Sequence, residues 1–299
     1  MRQEFQQLMA RLYAVVRQVY QGYTRNNGAL TAAAISYFAL VSLVPLMLLA
    51  TSIFGFVEPS MPGGPAAGAR DTIHFIRGLV PWNSRDIADT LLALQSARRA
   101  TGILGIITLL WIGSQFFHVL EDALNRTWSA PRARPYWKGR LVALGLLALC
   151  GGLVLVNLGL EIPARWIQSR SLPWTHEQLR DLPLVWGSVA YGIPLLLAVL
   201  MFMLIYRIAP NCGVTWREAF LGGLFSGVLW ELAKLGFGHY VAAFGMKGYG
   251  RIYGSLTGLA LLVFWIYYTS NILVIGAEFA RSWCAVFDTG PDQSHSDSS

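Results

Sequence analysis

Charged residues are scarce in this sequence. Only 13% of its 299 residues are Asp, Glu, Lys or Arg, whereas 55% are hydrophobic. Soluble domains carry about 25% charged residues, so the composition argues against a water-soluble protein. Cysteine is also scarce: Cys150, Cys212 and Cys284 form no CxxC pair and no even-numbered disulfide framework. A disulfide-stapled domain and a cysteine-based zinc or redox site are therefore not predicted.

The sequence also lacks the common signatures of enzymes. It has no P-loop, no Rossmann glycine pattern and no GxSxG, and its histidines form neither HxH nor HExxH. No basic segment interleaved with aromatic residues indicates RNA binding. We therefore predict no enzymatic activity, no catalytic residues, no metal site, no cofactor and no nucleic-acid partner. The formal net charge of +7 is explained by basic residues at membrane edges, where anionic headgroups attract them.

The sequence contains long runs without charged residues. Five windows carry no charged residue: 26–57, 100–120, 141–160, 182–206 and 252–277. Each holds about 20 or more residues, enough to cross a hydrocarbon core about 30 Å thick. A sixth apolar segment is interrupted by Glu231 and Lys234. The sequence thus predicts an all-α, polytopic membrane protein with six transmembrane helices, at about 31–57, 102–120, 140–162, 184–206, 218–237 and 254–278.

The segments outside these spans differ in character. Residues 1–25 place apolar and cationic side chains at helical spacing, which predicts an amphipathic helix lying in the membrane interface. Two short amphipathic stretches, about 70–80 and 85–99, predict periplasmic helices in the long loop after the first span. The polar end predicts disorder over 284–299, which leaves one six-span membrane domain over 1–283.

Two prolines interrupt predicted spans. Pro45 lies in the first span and Pro194 in the fourth, where a proline removes one backbone donor and frees a carbonyl group. We therefore predict helix kinks at both positions.

Basic residues favour one orientation in the membrane. With the N-terminus inside, the cytoplasmic segments hold slightly more Lys and Arg than the outer ones. The densest short loop, NRTWSAPRARPYWKGR, then also falls inside. Since six spans return the chain to its starting side, both termini are predicted to be cytoplasmic.

Two charges inside the fifth span need an explanation. At about 100° per residue, Glu231 and Lys234 share an arc of about 80° with three glycines, Gly223, Gly227 and Gly238. Small residues let another helix approach closely, so both charges are predicted to face protein rather than lipid. Two interpretations stay open. Either the pair lines a polar cavity, or Glu231 reaches the outer headgroups while Lys234 snorkels.

The sixth span carries a similar polar face. Tyr267, Asn271 and Glu278 lie within about 40° of one another, and Gly254 and Gly258 form a GxxxG packing motif. Asn271 is deep enough in the span to need a partner on another helix. For Glu278, a solvated position at the inner end of the span is favoured over a buried one.

A third polar stripe ends the second span. Gln115, His118, Asp122 and Asn125 follow one another along a single helix face. The stripe is compatible with a ligand or metal site. A polar helix end at the membrane interface is the favoured interpretation.

Three stretches resemble one known family. They are LTAAAISYFALVSLVPLMLLATSIFG, LLWIGSQFFHVLEDALNRTW, and a longer part from LIYRIAPNCGVTWREAFLGGLFSGVLWELAKLGFGHYV through YGRIYGSLTGLALLVFWIYYTSNILVIGAEF. The longer part contains Pro210, Asn211 and the WELAK of 230–234. These stretches are similar to the YihY/BrkB family of bacterial inner-membrane proteins, sometimes labelled ribonuclease BN. The resemblance covers most of residues 28–283.

The resemblance implies six spans with both termini cytoplasmic, in the bacterial inner membrane. It brings no agreed activity and no catalytic residues, since members carry labels as virulence factors, putative transporters or a ribonuclease. We expect a transporter or lipid flippase-like envelope factor, in which polar faces of the second, fifth and sixth spans line a pathway. The alternative is a non-transporting, virulence-associated membrane factor that binds a partner or lipid. Membrane lipids and a small-molecule or lipid substrate are the expected partners, and the oligomeric state stays open.

Overall fold

The fold is built from helices. A computed structural model describes residues 2–57, 98–130, 134–168, 183–241 and 256–287, and these residues form seven α-helices and no strand. The helices are α1 (Arg2–Arg25), α2 (Gly28–Val57), α3 (Arg98–Thr127), α4 (Tyr136–Gln168), α5 (Pro183–Ile208), α6 (Trp216–Tyr240) and α7 (Leu256–Phe287). The prediction of an all-α protein is confirmed.

Several helices are long and apolar enough to cross a membrane. Within the described ranges, four stretches meet this test: Gly28–Leu46, Ile103–Thr127, Trp216–Tyr240 and Gly258–Phe287. A shorter apolar stretch, Gly192–Ile208, lies in α5. The predicted spans at 140–162 and 184–206 fall within α4 and α5. The chain is thus a multi-pass membrane protein, and the number of six spans stays a prediction.

Helix boundaries differ from the prediction where packing prolongs a helix. α3 continues past 120 to Thr127, and α7 continues past 278 to Phe287. The extra turns bury apolar surface, since Leu124 is 1% exposed and Cys284 is 7% exposed. The predicted start of the tail at 284 was therefore wrong. The predicted helix at 70–80 lies outside the described residues, as does the one at 85–99 apart from the last two positions, which belong to α3.

Local sequence signals explain two helix ends. α6 begins with a capping box, in which the Thr215 N–H donates to Glu218 Oε2 at 3.0 Å and the Glu218 N–H donates to Thr215 Oγ1 at 3.2 Å. α3 ends in a Schellman turn. There Ser129 has a φ of 51°, and the Ala130 N–H donates to the Asn125 carbonyl at 2.9 Å.

A two-residue turn joins α1 to α2. Asn27 adopts a φ of 51°, a left-handed conformation that asparagine tolerates better than most residues. The Asn26 N–H donates to the Gly22 carbonyl at 2.9 Å, and the Asn27 carbonyl accepts from the Thr31 N–H at 2.9 Å. Because no flexible linker separates the helices, the direction in which α1 leaves α2 is set by this turn.

The residues group into two compact units. The first falls within Met1–Thr31, Phe117–Ala233 and Asn271–Ser299, and the second within Ala32–Phe116 and Lys234–Ser270. In the second unit, Phe237 of α6 lies against two rings of α7, with ring centroids 4.7 Å from Trp265 and 6.4 Å from Phe264. Aromatic contacts of this kind stabilise the packing of one helix against the other.

Tyr206 is the centre of the first unit. Its side chain is fully buried, and its hydroxyl donates to the Leu273 carbonyl at 2.8 Å. Since a phenol has a single proton, the Ser226 hydroxyl, 2.7 Å away, donates to the Tyr206 oxygen. One side chain of α5 thereby links α6 to α7.

Small residues allow these three helices to approach closely. A Cβ placed on Gly222 would lie 2.8 Å from Ala280 Cβ, so α6 and α7 are in close contact there. A Cβ on Gly223 would lie 2.8 Å from the Met203 N and the Val199 O, and one on Gly227 would lie 2.6 Å from Val199 Cγ2. The nearest atoms to Gly223 and Gly227 thus belong to α5.

Both prolines lie inside continuous helices. Pro45 is buried within α2, and Pro194 is half-buried within α5. The kinks predicted at these positions stay predictions.

The close contact of α6 with α5 gives a stability prediction. We expect Gly223→Ala to lower stability by about 2 kcal/mol, because the new methyl would meet backbone atoms that cannot rotate away. Gly236→Ala on the same helix is the matched control, since nothing lies within 4 Å of its added Cβ. The measurement is the temperature at which half of the detergent-solubilised protein remains monodisperse. Equal midpoints for the two variants would contradict the packing.

The predicted topology can be tested by thiol labelling. In a cysteine-free chain, Ser129→Cys should react with an impermeant maleimide only after the inner membrane is opened, whereas Arg70→Cys should react in intact spheroplasts. The native Cys212 is a poor reporter, because burial and then the Glu218 carboxylate raise the pKa of its thiol. Labelling of Ser129→Cys in intact spheroplasts would reverse the orientation.

Candidate functional site

A buried carboxylate lies in the first unit. Glu278 on α7 is only 1% exposed. Its Oε1 accepts hydrogen bonds from Asn26 Nδ2 at 2.7 Å and from Thr127 Oγ1 at 2.9 Å. These donors come from the turn after α1 and from the last residue of α3. The favoured prediction, that Glu278 is a solvated helix end, was therefore wrong. The reason is that α1 covers the face on which Glu278 lies.

Further polar contacts surround this carboxylate. Arg281 Nη1 donates to the Thr127 carbonyl at 2.5 Å, and Arg126 Nη2 donates to Thr31 Oγ1 at 3.3 Å. At its last two residues, α3 is therefore tied to α7 through the Thr127 carbonyl and to the start of α2 through the Arg126 side chain. We call Asn26, Thr127, Glu278 and Arg281 the Glu278 cluster.

α1 packs lengthwise along the C-terminal half of α7. The Tyr23 hydroxyl donates to Asn271 Oδ1 at 2.5 Å, and a Cβ on Gly22 would collide with Glu278 Oε2. Toward the other end of α1, the Arg11 guanidinium lies 5.7 Å from the centre of the Phe287 ring. Because later residues of α7 meet earlier residues of α1, the two helices are antiparallel. Interfacial placement of α1 stays a prediction.

A cleft opens between these two helices. Its volume is about 210 Å³. α1 lines it with Gln18, Gln21, Gly22 and Arg25, and α7 lines it with Glu278, Arg281, Ser282 and Ala285. The lining therefore combines two guanidinium groups, two amides, a hydroxyl and the buried carboxylate, a set suited to a polar ligand carrying negative charge.

A second polar network holds the end of α5. Arg134 Nη1 lies 3.4 Å from Glu121 Oε1, and the same side chain donates to the carbonyls of Ile208, Ala209 and Pro210 at 3.2, 3.2 and 2.9 Å. A helix C-terminus carries partial negative charge and unpaired carbonyls, so a guanidinium with five donors suits this position.

Two asparagines extend the network. Arg134 Nε donates to Asn211 Oδ1 at 3.1 Å, and the Asn211 N–H donates to Asn125 Oδ1 at 2.6 Å. Asn125 belongs to the predicted polar stripe of α3. In the structure it joins α3 to the connection between α5 and α6.

The rest of that stripe does not converge on one site. Gln115 is half-buried, whereas His118 and Asp122 are exposed. In the described ranges, no three His, Cys, Asp or Glu side chains are grouped as metal ligands would be. The ligand-site interpretation of the stripe therefore gains no geometric support.

The remaining predicted residues are placed as follows. Glu231 and Lys234 are both half-buried on α6, and Tyr267 on α7 is 36% exposed. Gly258 is half-buried, and Gly254 lies outside the described residues. The prediction that another helix approaches the glycine face closely left the partner unnamed, and at Gly223 and Gly227 that partner is α5.

Several residues of these networks were not singled out from the sequence. They are Asn26, Glu121, Thr127, Arg134, Tyr206 and Ser226. For Asn26 and Thr127, a signal was available: each is a polar residue at the C-terminal end of a helical segment, where the last backbone carbonyls lack intrahelical partners. Nothing in the sequence distinguishes Arg134 from the other basic residues of its loop.

Comparison with known proteins identifies the family. A family model described as "Virulence factor BrkB" matches residues 19–297. The chain belongs to the BrkB family. The resemblance noted from its motifs is thereby confirmed.

Two relatives of this BrkB-family chain are named as membrane proteins. A "UPF0761 membrane protein RSc1559" from Ralstonia nicotianae is 30% identical over 252 residues, which cover 84% of this chain and 54% of that protein. A "UPF0761 membrane protein" from Azotobacter vinelandii is 31% identical over 265 residues, covering 88% of this chain and 61% of that protein. The chain thus spans little more than half the length of these two relatives.

A third relative carries a different name. The "Putative ribonuclease-like protein YfkH" of Bacillus subtilis is 25% identical over 266 residues, covering 88% of this chain and 92% of that protein. No solved structure matches the chain.

The Arg134 network gives a second stability prediction. We expect Arg134→Ala to lower stability by about 3 kcal/mol, because it leaves the buried Glu121 carboxylate and the carbonyls of Ile208, Ala209 and Pro210 without this donor. Arg134→Lys should lose part of this stability, since an ammonium keeps the charge but lacks the several fixed N–H donors of a guanidinium. Lys138→Ala, at an exposed position of α4, is the control. The thermal midpoint in detergent measures all three, and equal losses for Arg134→Ala and Lys138→Ala would contradict the network.

Proposed function

We propose that this chain is a transporter or flippase-like protein that moves an amphiphilic solute across the bacterial inner membrane. It works with both termini in the cytoplasm and without enzymatic activity. The observation that carries the proposal is the buried carboxylate of Glu278 beside the cleft. An ionisable side chain within a membrane span is costly, and such residues commonly mark substrate or ion pathways.

Packing alone does not require an ionisable side chain at Glu278. Asn26 Nδ2 and Thr127 Oγ1 both donate to the single oxygen Oε1. A glutamine carbonyl oxygen could accept the same two hydrogen bonds without carrying a charge into the protein interior, which costs several kcal/mol. If the Glu278 cluster only held α1 and α3 against α7, a neutral glutamine amide would stabilise these contacts as well. An ionisable residue at a position where a neutral amide would suffice therefore supports a role with a ligand.

The candidate pathway differs from the one expected from the sequence. The hypothesis used polar faces of the second, fifth and sixth spans. The contacts instead concentrate on α1, α3 and α7, where Tyr23 meets Asn271 and where Thr127 meets Glu278. α1 had been assigned only to the membrane interface. We infer that it forms one wall of the site.

A second candidate function is a membrane factor that binds a lipid or partner without moving it. One observation favours it: the cleft is lined by Glu278 but by neither Asn271 nor Glu231. A ligand seated in the cleft would then stay at one end of the helices. The ribonuclease name of YfkH is not carried to this chain, because the described residues offer no group of metal ligands and no histidine pair.

Reconstitution separates the two functions. Purified protein is placed in liposomes that contain a fluorescent anionic phospholipid, and dithionite quenching reports how fast inner-leaflet lipid reaches the outer leaflet. The intact chain should speed this exchange, and Glu278→Gln should slow it at least tenfold, about 1.4 kcal/mol in barrier, while thermal stability stays within about 1 kcal/mol of the intact chain.

The control is Glu218→Gln, which removes a carboxylate that only caps α6. It should leave the exchange rate unchanged. A folded protein that never accelerates exchange would favour the binding factor. Full activity in Glu278→Gln would show that the carboxylate is structural.

A further inference from the structure

We propose that the cleft between α1 and α7 binds the phosphate group of a membrane lipid, with Arg25 and Arg281 as its cationic contacts. The inference rests on the proposed function, because it names the chemical group by which the substrate is recognised. The proposal assigns ligand binding to α1 as well as to the membrane spans.

The charges of the cleft favour an anion. Two guanidinium groups face one carboxylate, and Oε1 of that carboxylate already accepts hydrogen bonds from Asn26 and Thr127. Arg281 uses Nη1 for the Thr127 carbonyl, and a guanidinium has five N–H donors, so most of its donors remain for a ligand. The fork of two parallel N–H groups matches two oxygens of a phosphate.

Uncharged donors complete the lining. Gln18 and Gln21 on α1 each carry an amide with two N–H groups, and Ser282 on α7 adds a hydroxyl. A space of about 210 Å³ corresponds to about seven water molecules at roughly 30 Å³ each. This holds a phosphate with a small polar substituent, and it is too small for the acyl chains of a lipid. A headgroup with its tails outside the cleft fits the dimensions.

The exposure pattern of α1 favours a lipid as the source of the phosphate. The side chains of Tyr13, Val16 and Tyr20 form an apolar flank of α1 and are 67–72% exposed. In a membrane protein, such a flank is available to lipid. Arg25 lies on another side of the same helix, toward the cleft. An amphipathic helix in the interface places its apolar flank among acyl chains and its basic residues at headgroup level. The cleft then lies at the depth of lipid phosphates.

Arg25 also has a simpler explanation. It lies in the last turn of α1, where a cation interacts favourably with the helix dipole whether or not a ligand binds. The two explanations differ in one respect. Only a ligand contact makes the affinity for a phosphate depend on Arg25 more than on another exposed arginine of α1.

Binding is measured with the purified full chain in a non-ionic detergent. The probes are dihexanoyl phosphatidylglycerol, inorganic phosphate and uncharged dioctanoylglycerol, and the shift of the thermal midpoint with probe concentration gives the Kd. We expect the phospholipid to bind, the diacylglycerol not to bind, and Arg25→Gln to raise the phospholipid Kd about tenfold. Arg17→Gln, which removes the same charge from an exposed position outside the cleft, should change the Kd less than about twofold.

A second variant protects the test against misfolding. Arg281→Gln also loses the contact with Thr127, so it is paired with Arg281→Lys, which keeps the charge and should retain binding better than the glutamine variant. Equal losses in Arg25→Gln and Arg17→Gln would overturn the site, since binding would then follow net charge. Inorganic phosphate bound as tightly as the phospholipid, with the same dependence on Arg25, would overturn the lipid assignment and keep the phosphate site.

This test is independent of lipid movement. Binding in detergent needs no bilayer to be crossed. Arg25-dependent binding together with no acceleration of lipid exchange in liposomes would overturn the transport proposal and support the phosphate site. Exchange that proceeds while Arg25→Gln binds as tightly as the intact chain would support transport and overturn the phosphate site.

Discussion

A carboxylate taken out of water must be surrounded by donors, and this requirement organises the first unit. Glu278 recruits Asn26 from the turn between α1 and α2 and Thr127 from the end of α3. Removing either donor would leave a buried acceptor underused, at a cost of about 1–3 kcal/mol. Three segments far apart in sequence are therefore held at one point by a group that hydrophobic packing alone would not place there.

The same carboxylate explains why α1 lies where it does. α1 contacts α7 closely at Gly22, where a side chain of any size would meet Glu278 Oε2. The absence of a Cβ lets the helix backbone come down on the carboxylate, and Tyr23 on the next position reaches Asn271. An amphipathic helix that hydrophobicity alone would leave at the membrane surface thus acquires a specific partner. The polar side of α1 next to this contact lines the cleft.

Much of the fold could be predicted from the sequence, because hydropathy and helical periodicity are local. Five of the six predicted spans fall within observed helices, and the sixth, 254–278, overlaps α7 from Leu256 onward. α1 ends at Arg25, where the amphipathic pattern ends. Periodicity also shows which residues share a face, but it does not show what the face meets. Gly223 and Gly227 do share a buried face, and the neighbour is α5 rather than α7. The burial of Glu278 depends on donors outside its helix, so no property of α7 by itself could indicate it. Arg134 is a similar case, since its partners belong to α3 and to the end of α5 and the connection that follows it.

The spacing of the partners along the chain has a consequence for how the protein is made. Asn26 and its acceptor are 252 residues apart, and Thr127 and the same acceptor are 151 apart. The ribosome delivers the two donors long before the carboxylate, so α1 has no partner on α7 while the earlier helices insert. The first unit can close only when the last helix is in place. Until then the apolar face of α1 is available to the membrane surface or to the insertion machinery, and the arrival of α7 is the event that commits it to the protein.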